Sequence, residues 1–118
     1  MGVKRIVANV HATDNAAALA FYGGILDMDV VMDHGWIVTL AGSCGGNPAP
    51  QLSFATEGGN GTPVPDLSIE VDDLDEVLRR VAAAGLAPEY GPAVEPWGVR
   101  RFFVRDPFGR LLNILQHV

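Results

Sequence analysis

The alternation that opens at Ile6 opens again at Asp66, and this restart constrains the fold more than any other feature of the chain. Ile6, Ala8 and Val10 alternate with Val7, Asn9 and His11, the period of a half-buried strand. Asp14 then stands where a helix N-cap belongs, and Ala17, Ala18, Phe21, Tyr22, Ile25 and Leu26 make an apolar helical stripe. In the second half Leu67, Ile69 and Val71 alternate with Asp66, Ser68 and Glu70. Asp73 takes the cap position, Leu74, Val77, Leu78, Val81 and Ala82 make the stripe, and Gly85 ends it. Laying Val7 on Asp66 carries Val10 onto Ile69, Asp14 onto Asp73 and Leu19 onto Leu78. Few letters coincide, so the repeat is one of pattern.

Each helix is followed by strands. Residues 28–32 and 36–41 read as a pair joined near Asp33-His34-Gly35, and residues 51–55 as a third strand beyond a loop at 42–50. The Gly- and Pro-rich stretch 57–65 reads as a linker. The chain closes on a hairpin: Val99 to Arg105, a turn at Asp106-Pro107-Phe108-Gly109, and a return strand from Leu111 to Leu115. The expectation is one α+β domain over residues 1–118. Module one spans about 1–57, the linker about 57–65 and module two about 66–118. Each module is a curled sheet with one helix on its outer face, and the opposite faces line a cleft.

Composition narrows the function. At 118 residues the chain can bury a core without staples. No apolar run reaches bilayer length and residues 1–5 lack a signal peptide's apolar stretch, so a cytoplasmic protein without membrane contact is expected. The single Cys44 excludes an internal disulfide and a cysteine metal site. A net charge of −6 argues against nucleic acid, which needs a basic patch.

If Ile6, Ala8, Val10, Leu67, Ile69, Val71, Phe102, Val104, Leu112 and Ile114 pack under the helices, the alternate residues face the cleft. Those include Val7, Asn9, His11, Gln51, Ser53, Asp66, Ser68, Glu70, Arg101, Phe103 and Asn113. Apolar walls with scattered hydrogen-bonding groups are the character of a small-molecule pocket. Trp97, in a Pro/Gly-flanked loop, and Trp36, at the start of its strand, are candidates to stack on a planar ligand, though a strand Trp36 also suits a core. Arg101 has two readings: a pair with Asp66 or Glu70, or a contact to a ligand carbonyl or carboxylate. His34 and His117 read as solvated surface. No nucleophile–base pair and no phosphate-cradling loop is visible.

Three stretches in this order resemble the vicinal oxygen chelate superfamily, which includes glyoxalase I, extradiol dioxygenases and bleomycin-resistance proteins. They are Asp14 with Phe21-Tyr22, the run Asp72-Asp73-Leu74-Asp75-Glu76, and Arg101 to Gly109. The resemblance implies paired βαβββ modules, usually assembled as a homodimer. The lead-in Pro96-Trp97-Gly98-Val99-Arg100-Arg101 is most similar to the bleomycin-resistance branch, which holds a drug and performs no chemistry. Enzymes of the superfamily grip a divalent metal with His and Glu. Counting from the same landmarks, those positions fall here on Val7, Gln51, Asp66 and Asn113, so neither a metal nor another cofactor is expected. The resulting expectation is a protein that binds a hydrophobic, aromatic-bearing antibiotic through Asn9, His11, Trp36, Gln51, Ser53, Asp66, Trp97, Arg101, Phe103 and Asn113. A metal-free isomerase, cyclase or lyase with His11 or Asp66 as base is the alternative, and a metal-dependent lyase or dioxygenase the third.

Overall fold

The computed structural model describes residues 1–46 and 49–118; part of the expected 42–50 loop, Asn47 and Pro48, lies outside the described residues. Two compact units divide the chain, Val7–Val64 forming one and Met1–Ile6 with Pro65–Val118 the other. Strand β1 (Val3–His11) runs from the second unit into the first. The α+β class and the βαβββ repeat are both present.

In the first unit β1 leads to helix α1 (Asn15–Ala18), a π-helical turn (Leu19–Gly23), and strands β2 (Asp29–Asp33), β3 (Ile37–Ala41) and β4 (Gln51–Ala55). The strand order is β2-β3-β4-β1, with β1 parallel to β4 and the other pairs antiparallel. Asp14 caps α1 as expected, its Oδ1 accepting from the N–H groups of Ala16 and Ala17 at 2.9 and 3.3 Å. The long apolar stripe is broken, however. The wider π turn rotates later residues off the α-helical face. Ala18, Leu19 and Tyr22 pack on Val38, Leu40 and Phe54, while Phe21, Ile25 and Leu26 lie exposed. Gly24 closes the turn at a point where a Cβ would stand 2.4 Å from the Ala20 carbonyl oxygen.

A second correction follows from that short helix. Val10 shares the face of its register partner Phe54, yet it is 42% exposed, because α1 and the turn cover β3 and β4 only. Ile6, also expected in a core, is 59% exposed. The stretch 57–65, read as a linker, spans the boundary between the units at 64/65, and its first part is held by local hydrogen bonds. Gly58 N–H donates to the Thr62 carbonyl at 2.8 Å, Thr62 N–H to that of Gly59 at 3.0 Å, and Gly61 N–H to Glu57 Oε1 at 2.9 Å.

The second unit has β5 (Leu67–Val71), α2 (Leu74–Ala83), β6 (Tyr90–Glu95), β7 (Val99–Arg105) and β8 (Leu111–His117), in the order β5-β8-β7-β6. Beneath α2 the core is Val71, Leu74, Phe102, Val104 and Ile114, with Ile69, Val77, Leu78, Val81 and Leu112 around it, as the alternation predicts. Asp73 Oδ1 accepts from Glu76 N–H at 3.1 Å, and Gln116 Oε1 takes the Leu74 N–H at 2.9 Å. The hairpin turns on Asp106, whose Oδ1 accepts from Phe108 and Arg110 N–H at 2.8 and 2.9 Å. Strand β6 had no counterpart in the sequence reading. Gly91 and Pro92 weaken its strand signature, and a bulge between Tyr90 and Ala93 breaks its period of two. No helix among the described residues is long and apolar enough to cross a membrane.

Candidate functional site

Strand alternation sets a second face on each sheet, away from the helix. In the first unit the register puts Asn9 beside Ser53 and Ser53 beside Thr39. Thr39 and Ser53 are both buried, and their hydroxyls meet at 2.7 Å. Gln51 lies two residues before Ser53 on the same strand, and Val7, on this parity of β1, is buried. His11 ends β1 opposite Ala55 and is exposed. Trp36 has the parity of the core residues Val38 and Leu40, and its ring stacks on His34 with centroids 6.3 Å apart.

In the second unit the register aligns Ser68, Asn113, Phe103 and Tyr90 in one row across β5, β8, β7 and β6. The Asn113 amide nitrogen donates to Ser68 Oγ at 3.1 Å. Asn113 is 8% exposed, and its Oδ1 has no hydrogen-bond partner among the described residues. Such an orphaned buried acceptor is uncommon, since most buried polar atoms are satisfied. Asn9–Ser53 and Ser68–Asn113 occupy matching places in the two modules, so the counterpart of Asn113 is Ser53 rather than Gln51.

Beside that row lies a buried charge. Arg101 is 2% exposed and Glu95 3%, and Arg101 Nη2 donates to Glu95 Oε2 at 3.3 Å. The Tyr90 hydroxyl donates to Glu95 Oε1 at 2.7 Å. Three rings surround the guanidinium carbon, at 4.8 Å for Phe103, 4.9 Å for Trp97 and 5.3 Å for Tyr90. Of the two sequence readings for Arg101, the pair with Asp66 or Glu70 is replaced by a pair with Glu95. Glu95 outcompetes them because the antiparallel β6–β7 pair sets it opposite Val99, two residues from Arg101 on the same face. Glu70 instead meets His117 Nδ1 at 2.9 Å, Arg5 Nε at 3.4 Å and Lys4 Nζ at 3.9 Å; His117 is exposed, as expected, and carries this contact as well. Asp66 is exposed and its Oδ2 accepts from Leu111 N–H at 3.1 Å.

Tyr90 and Glu95 are the residues that sequence reasoning missed. The only available signal was an acid inside Ala93-Val94-Glu95-Pro96-Trp97, where an apolar setting demands a partner. Of the candidates, Trp97, Arg101 and Phe103 come together in one cluster, with Asn113 next to Phe103 in the register.

The paired βαβββ modules with a polar row on the sheet face opposite α2 define a class of protein built from a duplicated unit. A family model for the Glyoxalase/Bleomycin resistance protein/Dioxygenase superfamily matches residues 4–114, and the chain belongs to that superfamily. A comparison with curated proteins found no match. Among solved structures it is similar to a protein of Legionella pneumophila described as an NAD-dependent benzaldehyde dehydrogenase (16% identity, 97% of this chain and 100% of that one, TM-score 0.74). It is also similar to a superfamily member from Vibrio splendidus 12B01 (18%, 98% and 99%, TM-score 0.68). A third is methylmalonyl-CoA epimerase from Mycobacterium tuberculosis (20%, 99% and 88%, TM-score 0.67). Identities this low establish the fold alone.

The metal that the superfamily's enzymes carry is poorly matched by the residues here. Val7 has no donor atom, Asn113 and either Gln51 or Ser53, two residues further along β4, offer only neutral oxygens, and the one carboxylate, Asp66, already accepts a backbone N–H. A divalent transition metal needs imidazole, thiolate or several carboxylates.

Proposed function

We propose that this chain binds a small aromatic natural product of the antibiotic class and protects by sequestration, without a resident metal. The observation that carries the reading is Asn113, whose buried Oδ1 lacks a donor beside a row of Ser68, Phe103 and Tyr90. A ligand N–H or O–H supplies that donor, while aromatic walls take its apolar body. The poor donor set for a metal and the position of Trp97 next to this row support it. In this reading the protein is a cytoplasmic homodimer acting by mass action, in excess over its ligand.

One observation favours a second reading, a metal-free enzyme. His117 and Glu70 form the carboxylate–imidazole pair in which the acid orients a general base, and Glu70 lies on the same face as Ser68. The fold's similarity to methylmalonyl-CoA epimerase is compatible with it.

The experiment is a thermal-shift screen against planar aromatic antibiotics, followed by mass spectrometry of the recovered ligand. Sequestration returns the ligand unchanged, with binding weakened at least tenfold in Asn113→Ala. A ligand changed in mass or stereochemistry, with the change abolished in His117→Ala, supports the enzyme instead. Metal analysis of the purified protein finding one tightly held divalent ion per chain would overturn both.

A further inference from the structure

The first unit contains a cavity of about 340 Å³ lined by His11, Thr56, Glu57, Thr62, Pro63 and Val64. It sits where the parallel strands β1 and β4 end together and the 57–62 loop folds back. The loop is built rather than slack. Glu57 Oε1 accepts the Gly61 N–H at 2.9 Å, and Thr62 Oγ1 donates to the Gly59 carbonyl at 2.7 Å. These bonds fix Glu57 and Thr62 on the rim. One carboxylate oxygen, Oε2, makes no hydrogen bond to the described residues, and neither does the His11 ring. Pro63 and Val64 supply an apolar wall.

We infer that this cavity is a binding site for a small organic ammonium ion. The lining holds one carboxylate, an imidazole and two hydroxyls, and neither lysine nor arginine. Glu57 Oε2 takes the charged N–H group, His11 and Thr56 take further N–H donors, and the alkyl body lies on Pro63 and Val64. An anion meets a carboxylate there and is repelled; a neutral alcohol gains no charge-assisted bond. The overall charge of −6 favours cations at the same surface. All six lining residues belong to the first unit, whereas Asn113 and its row belong to the second.

The test is a titration of the ¹⁵N-labelled protein with n-butylammonium chloride, n-butanol and sodium butyrate at constant ionic strength, read by amide chemical shifts. Butylammonium is expected to give saturable shifts at His11, Glu57, Gly61 and Thr62 with a midpoint of about 10 mM, the weak affinity of a fragment. Butanol and butyrate are expected to give none. Glu57→Gln retains an acceptor for Gly61 N–H, so the loop amides keep their positions while the midpoint rises at least fivefold. His11→Ala, at an exposed strand end, raises it at least twofold. Absence of saturation, equal shifts with butyrate, or midpoints unmoved in both variants would overturn the assignment.

Discussion

Arg101 and Glu95 face one another across β7 and β6 as a buried ion pair, Nη2 to Oε2 at 3.3 Å, enclosed by Tyr90, Trp97 and Phe103. Neither side chain has appreciable contact with water, so the ion pair, with the Tyr90 hydroxyl on Glu95 and the rings around Arg101, stands in for lost hydration. Glu95→Ala is expected to cost about 3–5 kcal/mol, because it removes the carboxylate that balances a buried guanidinium. The joint replacement Glu95→Leu with Arg101→Met should recover most of that loss, since the desolvation penalty disappears with both charges. Urea unfolding with matched slopes measures both. A single-variant loss below about 1 kcal/mol would mean that water reaches the pair.

Trp97 bears on the same guanidinium from the loop between β6 and β7. A cation–π contact of this kind contributes about 0.5–2 kcal/mol. Trp97→Ala should therefore lower stability modestly and leave the circular dichroism unchanged. Ligand affinity should fall about tenfold to a hundredfold, the range for an aromatic anchor. Trp36→Phe is the control, because that ring has core parity and stacks on His34. Fluorescence titration reads both, and unchanged affinity in Trp97→Ala removes this residue from the site.

These two residues also mark how far the sequence could be read. The duplication, both helix caps, the α2 core and the Asp106 turn were legible, because each depends on near neighbours or on a clean period of two or 3.6. What failed was non-periodic. A π turn diverts Phe21, Ile25 and Leu26 outward, and a bulge hides β6 and with it Glu95, the partner Arg101 actually uses. The site was half legible for the same reason. Arg101, Phe103 and Asn113 follow from alternation on β7 and β8, whereas the pairing of His117 with Glu70 depends on the parallel register of β5 and β8, which sets Glu70 opposite Leu115, two residues before His117.

Glu76, in the first turn of α2, accepts hydrogen bonds from Arg79 and Arg80, and these bonds lower its carboxyl pKa to about 2. A folded-state pKa below the unfolded one adds stability that is fully present above the ordinary glutamate range and is lost as pH falls toward the folded value. The melting temperature of the unmodified protein should therefore exceed that of Glu76→Gln by a constant amount from pH 7 to about pH 5. The difference should close between about pH 4.5 and 2. The side chains are solvent-accessible, so salt should shrink it as well. A difference that widens on acidification would contradict the assignment of Glu76 as the titrating partner.

Gly58 and Gly61 hold the 57–62 loop for different physical reasons, and alanine separates them. At Gly58 a Cβ would stand 2.0 Å from the Pro63 carbonyl oxygen and 2.4 Å from Thr62 Oγ1, so backbone must move. At Gly61 a Cβ meets nothing within 4 Å, but φ is +73°. Gly61→Ala should cost about 1–2 kcal/mol of backbone strain with the loop retained. Gly58→Ala should instead break the Gly58 N–H to Thr62 bond and release Glu57 and Thr62 from the rim of the His11 cavity. Hydrogen exchange distinguishes the outcomes. Gly58→Ala should lose protection at the Gly58, Gly61 and Thr62 amides while β3 and β4 keep theirs, and Gly61→Ala should preserve it. Equal protection in the two variants would show that close approach at Gly58 does not fix this loop.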